Sequence, residues 1–125
     1  MSDAQPHLPY AAPIEAYGKG GFRFAQMSHR GSLLCLPAGI WASPVESPEQ
    51  IDEHALALVF THAGSIDHLL IGTGTDMLAL APGLRNKLRE HHIVTETMAT
   101  RAAVRTYNIL LGERRRVAAL LIGVP

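Results

Sequence analysis

A chain of 125 residues with 47% hydrophobic and 18% charged residues can bury one real core and is too apolar to be disordered. Eleven basic residues balance eleven acidic ones, so no net field draws the protein to nucleic acid or to an anionic membrane. The single cysteine, Cys35, rules out an internal disulfide and fits a reducing compartment.

Residues 1–13 are rich in Pro, Ala and polar residues and have no period. They are predicted as a flexible tail before a single domain over 14–125. They carry neither the basic-then-apolar pattern of a secretory signal nor the arginines of a transit peptide. The longest apolar run, 117–124, is far short of the ~20 residues a membrane span needs. The expected location is the cytoplasm, with membrane association only through partners.

From Ile14 the pattern turns to strands. Residues 14–17 and 22–27 alternate around Gly18-Lys19-Gly20-Gly21, which predicts a β-hairpin. His29-Arg30-Gly31 supplies a second turn into the continuous apolar run 32–36, a pattern of strands covered on both faces. After Pro37 and Gly39, residues 40–42 add a short extended piece. Ser47-Pro48-Glu49-Gln50 then predicts a helix start, with Ser47 as cap and Gln50 completing a capping box. Leu56, Val59 and Phe60 would be its apolar face and Ala63-Gly64 its end.

The second half alternates strand and helix: a strand over 67–71, a helix from Pro82, a strand over 93–96, a helix capped by Thr100 and running to about Leu111, and a last strand over 117–122. Such alternation predicts a layered α/β domain. The uninterrupted apolar run at 117–122 predicts a central strand.

The candidate site combines two features. Gly72-Thr73-Gly74-Thr75-Asp76 follows the strand ending at Ile71, at the end where open α/β sheets gather ligands. It reads either as a tight structural turn or as a ligand loop. It lacks the third glycine of a dinucleotide fingerprint and the Gly-Lys-Ser/Thr of a phosphate loop, so no cofactor is expected. On the helix from Thr100, Arg101, Arg105 and Asn108 share one face, while Ala103, Tyr107, Leu110 and Leu111 form the buried stripe. Neither arginine has an acid three or four positions away. If the flanking strands run parallel, Glu96, Thr97 and the first amides of the Thr100 helix meet the glycine loop in one crevice. There they could hold an anion, or Asp76 or Glu96 could pair with an arginine instead.

Other chemistry finds no pattern. The seven histidines show no His-Glu-x-x-His spacing for a metal, and no Gly-x-Ser-x-Gly elbow offers a nucleophile. Cys35 lies in an apolar run, where a thiol is an inert core residue. Trp41 and Tyr17 read as core or interface residues.

The segments LLIGTGTD and ETMATRAAVRTYNILLGERRRVAALLI, with the early Tyr-Gly-Lys-Gly-Gly-Phe hairpin, resemble a family of small bacterial and archaeal proteins of largely unknown function. That family also includes a mitochondrial assembly factor of respiratory complex I, the third NADH dehydrogenase alpha-subcomplex assembly factor. The resemblance rests on Gly72-Thr73-Gly74, Glu96, Met98, Thr100, Arg105-Thr106-Tyr107-Asn108 and Glu113. It implies a three-layer α/β domain with a mixed central sheet, helices on its faces and an N-terminal β-hairpin. It also implies a non-catalytic interaction protein whose partners are respiratory complex subunits or other assembly factors. The alternative is a small-anion-binding protein or weak enzyme using the crevice. Two departures stand out: Ala99 where relatives carry a polar residue, and Arg114 where they place glycine.

Overall fold

The computed structural model describes residues 5–125. Among these residues eight strands form two sheets. β1 (Ile14–Gly18), β2 (Gly21–Phe24) and β3 (Met27–Arg30) make an antiparallel meander in that order. β4 (Ser32–Leu36), β5 (Gly39–Ser43), β6 (His68–Gly72), β7 (Val94–Met98) and β8 (Val117–Leu121) make a mixed sheet in the order β5-β4-β8-β6-β7. β4 runs antiparallel to β5 and β8, whereas β6 runs parallel to β8 and β7.

Alternate residues of the mixed sheet enter two separate cores. Leu34, Leu36, Leu69, Ile71, Ala118 and Leu120 pack on one side against Leu84 and Leu88 of helix α2 (Pro82–Glu90) and Val59 of the short α1 (Ala57–Thr61). Leu33, Cys35, Leu70, Ala119 and Leu121 pack on the other against Ala103, Val104 and Tyr107 of α3 (Thr100–Gly112) and Phe22 and Phe24 of the meander. This is the three-layer α/β arrangement expected, with β8 in the middle of the sheet and every residue of it buried.

Three elements differ from the pattern reading. The expected hairpin is a three-stranded meander, because Ala25 and Gln26 turn the chain with φ of 48° and 64°. Two consecutive positive φ values are the mark of a primed hairpin turn, normally built on Asn-Gly. His29 and Arg30 therefore sit on a strand rather than in a turn.

The helix expected from Ser47 is broken into pieces. Pro48–Gln50 and Ala63–Ser65 are single 3-10 turns, and only Ala57–Thr61 is α-helical. Ser47 makes no capping bond, while Gln50 Oε1 accepts the Glu46 amide at 2.6 Å. Asp52 Oδ1 accepts the Ala55 amide at 2.9 Å, so side chains take donors that a helix would have used.

The flexible tail expected over 1–13 is docked in its later part, whereas residues 1–4 lie outside the described residues. Leu8 and Ala12 are buried, and Leu8 bridges Ile40 at the outer edge of β5. The driving force is apolar contact, which the Pro-rich spacing hides.

The end of α3 carries a conformational strain. Arg114 has φ 62°, and the amides of Arg114 and Arg115 return to the carbonyls of Leu111 and Leu110. That is the left-handed C-terminal cap position at which glycine costs least. Arg114→Gly is therefore expected to raise stability by up to about 1 kcal/mol, read as a higher urea midpoint at unchanged slope. A lower midpoint would show that the arginine side chain contributes more than its backbone costs.

Candidate functional site

The glycine loop and the start of α3 do meet at one edge, because β6 and β7 run parallel with Gly72 opposite Met98. Gly72 is needed for that contact. A Cβ placed there would stand 2.9 Å from Thr100 Cα and 3.2 Å from Ala103 Cβ, so any side chain would push α3 off the sheet. Gly74 follows with φ 102°, a conformation that disfavours other residues.

Thr73 and Thr100 tie the loop internally. The Thr73 amide donates to Met98 O at 2.9 Å, and its hydroxyl donates to Asp76 O at 2.6 Å while accepting the Leu78 amide at 3.1 Å. Thr100 is the first residue of α3 rather than its cap, which is Ala99. Its side chain turns inward, fully buried. The hydroxyl donates to Ile122 O at 2.8 Å and accepts the Gly74 amide at 3.0 Å, and the Thr100 amide donates to Gly74 O at 2.8 Å.

These bonds bear on the free helix terminus that the sequence suggested. Thr100 gives its N–H to the loop, and Ala102 and Ala103 give theirs to Ala99 O, which leaves the Arg101 amide. The loop itself fills the place an anion would take.

The remaining predicted residues fall in different places. Thr75 and Asp76 are exposed on the loop and line a groove of about 340 Å³ with Glu46, Ser47, Gly123 and Pro125, away from both arginines. Arg101 and Arg105 are exposed along a separate, wider hollow beside Tyr17. Among the described residues no carboxylate pairs with either, so the alternative of an Asp76 or Glu96 ion pair is not realised. Glu96 is exposed and Thr97 half-buried on β7.

Asn108 belongs to none of these surfaces. Its amide group donates to Ile14 O and accepts the Ile14 N–H, both at 2.8 Å, and so clamps β1 to α3. The one crevice expected thus divides into a loop groove, an arginine hollow and a structural clamp.

Sequence reasoning missed two surface features of the loop. Met77 and Leu78, which follow Asp76, are 59% and 47% exposed. Their signal was present, as apolar residues in a segment without strand or helix period. The carboxyl groups displaced from their ordinary range lie elsewhere, and both are displaced downward: Asp67 by its hydrogen bonds to Arg116, and Glu49 by a hydrogen bond to its own backbone and one to Ser47. Neither is held protonated as a general acid would be.

Behind the site, burial pushes the Cys35 thiol up to about 12, and the Tyr107 hydroxyl lies against it. Cys35 is expected to resist a thiol reagent at pH 8 while the protein is folded and to react on unfolding. Rapid labelling of the native protein would contradict this.

The pattern of residues 14–122 matches the family described as Protein of unknown function (DUF498/DUF598). The chain belongs to that family. An uncharacterised relative from Rhodobacter capsulatus is 39% identical over 125 residues, covering all of this chain and 95% of that one. NADH dehydrogenase [ubiquinone] 1 alpha subcomplex assembly factor 3 of Mus musculus is 29% identical over the whole chain, which spans 68% of that protein. Among solved structures, a protein described as an outer membrane protein of Bartonella henselae is 50% identical, with a TM-score of 0.92 over 95% of this chain and all of that one. Among the described residues of this DUF498/DUF598 protein, no helix is long and apolar enough to cross a membrane.

Proposed function

We propose that the protein is a non-catalytic interaction protein that aids assembly of the respiratory NADH dehydrogenase, working from the cytoplasm on subunits of that complex or on other assembly factors. The observation that carries this reading is similarity along the whole of this chain to assembly factor 3, with all 125 residues aligned to 68% of the mouse protein. The surface supports it. Exposed Met77 and Leu78 follow the glycine loop, and Arg101 and Arg105 offer cations that pair with no carboxylate among the described residues. Exposed apolar residues on one surface and unpaired cations on another both suit protein contact. A small-anion site has less support, because the loop takes the Thr100 amide and Ala99 O takes those of Ala102 and Ala103, which leaves the Arg101 amide.

The test is affinity capture of the tagged protein from its native cell, followed by mass spectrometry. NADH dehydrogenase subunits are expected with the wild type, and fewer with the Arg101→Ala/Arg105→Ala double variant. Capture of no such subunit by the wild type would overturn the proposal.

A further inference from the structure

The two edges of the mixed sheet are treated differently. At β5 the chain covers its own edge: the His7 amide donates to Ile40 O at 2.8 Å and the Ile40 amide to Leu8 O at 2.9 Å. At β7 no strand among the described residues lies on the outer side. The inner ladder fixes which backbone groups face out. The Val94 amide donates to Asp67 O, and Met98 O accepts the Thr73 amide. In a parallel pair, bonded residues alternate, so Val94, Glu96 and Met98 face β6 while Thr95 and Thr97 turn their N–H and C=O groups outward.

This edge lacks the features that blunt free strands. It has five residues in unbroken register, without proline, lysine or bulge, and Val94 is 58% exposed. Beside it, Arg85, Arg89, Ile93, Val94 and Thr95 line a cleft of about 220 Å³. Lys87, between the two arginines, is engaged by Glu53 and the Phe60 ring, whereas Arg85 and Arg89 meet no carboxylate among the described residues. The Thr95 hydroxyl oxygen is buried there with no hydrogen-bond partner. A buried unpaired hydroxyl is uncommon.

We propose that the outer edge of β7 receives an extended segment of a partner protein as a sixth strand. Its residues on the α2 side carry carboxylates that meet Arg85 and Arg89. Those on the opposite side, where Glu96 projects with Leu70, are apolar or basic. Main-chain bonds to Thr95 and Thr97 supply the affinity and the alternating side chains the specificity. A second copy of this chain fits less well, because antiparallel pairing about the middle of β7 sets two Glu96 carboxylates opposite each other. The proposal rests on the protein-interaction reading above and adds a second contact surface to the loop and arginines named there.

The probe is a short synthetic peptide of alternating aspartate and valine, with an alternating lysine–valine peptide as control. In the free protein the Thr95 and Thr97 amides should exchange with solvent faster than those of Glu96 and Met98. The aspartate peptide should slow them, and the lysine peptide should not. Thr97→Pro removes one outward N–H and no ladder bond, so the protein should fold and lose the peptide. Arg85→Glu/Arg89→Glu leaves the backbone intact and should weaken binding about tenfold or more. Undiminished binding in both variants, protection confined to α3, or dimerisation through β7 would overturn the proposal. Native-cell capture with Thr97→Pro separates the two readings. Subunits recovered by wild type and variant alike would end the edge proposal and leave the functional one standing. Subunits recovered by neither would end the functional one, while the exchange measurement still judges the edge.

Discussion

Tyr107→Ala is expected to lower stability by about 4 kcal/mol, enough to unfold a domain of ordinary stability under mild denaturant. Tyr107 is fully buried, among the largest side chains that are, and its ring fills the space between α3 and the sheet. Its hydroxyl donates to Ala12 O at 3.0 Å, a bond that joins α3 to the N-terminal segment. Truncation leaves a cavity and an unsatisfied carbonyl together. Tyr107→Phe separates the two effects: it keeps the ring and should cost about 1 kcal/mol. Urea melts at equal slope would measure both. A loss under about 1 kcal/mol for the alanine variant would mean that the N-terminal segment and α3 close over the gap.

How much of this could be read beforehand depends on the range of the interaction. The alternation in the second half placed β8 centrally, because a run with no polar position has to be covered on both faces. The meeting of the glycine loop and α3 depends on β6 and β7 running parallel, a condition that the sheet meets. Helical spacing correctly put Tyr107 inside and Arg105 outside.

Spacing fails where a residue chooses between partners far apart in sequence. Asn108 shares a helical face with Arg101 and Arg105, yet its best partner is the backbone of Ile14, 94 residues away. Thr100 has a cap's composition but stands one residue inside the helix. Gly72 lets the strand come so close that the threonine is buried, and a buried hydroxyl bonds inward. Ala25-Gln26 makes a turn that neither residue favours, because Phe22 and Phe24 must both face the core while β3 pairs back. In each case burial elsewhere overrides local preference.

Thr100→Val tests how strongly the candidate site depends on one hydroxyl. The substitution keeps shape and volume, so packing changes little. It removes the donor to Ile122 O and the acceptor of the Gly74 amide, and both partner groups remain in place. The Ile122 carbonyl bond is buried and the Gly74 amide bond part-buried, and leaving both groups unpaired should cost about 3 kcal/mol. Thr100→Ser keeps the hydroxyl and should cost under about 1 kcal/mol. The Gly74 amide gives a local readout, since its hydrogen exchange should speed up in the valine variant and not in the serine one. The loop also positions Met77 and Leu78, because Thr73 holds the Leu78 amide and the Asp76 carbonyl next to the same junction. Partner capture should therefore fall in the valine variant even at temperatures where it stays folded. Full capture by a folded Thr100→Val protein would show that the loop's order does not matter to the partner. A stability loss below about 1 kcal/mol would show that water or backbone movement satisfies the two groups without it.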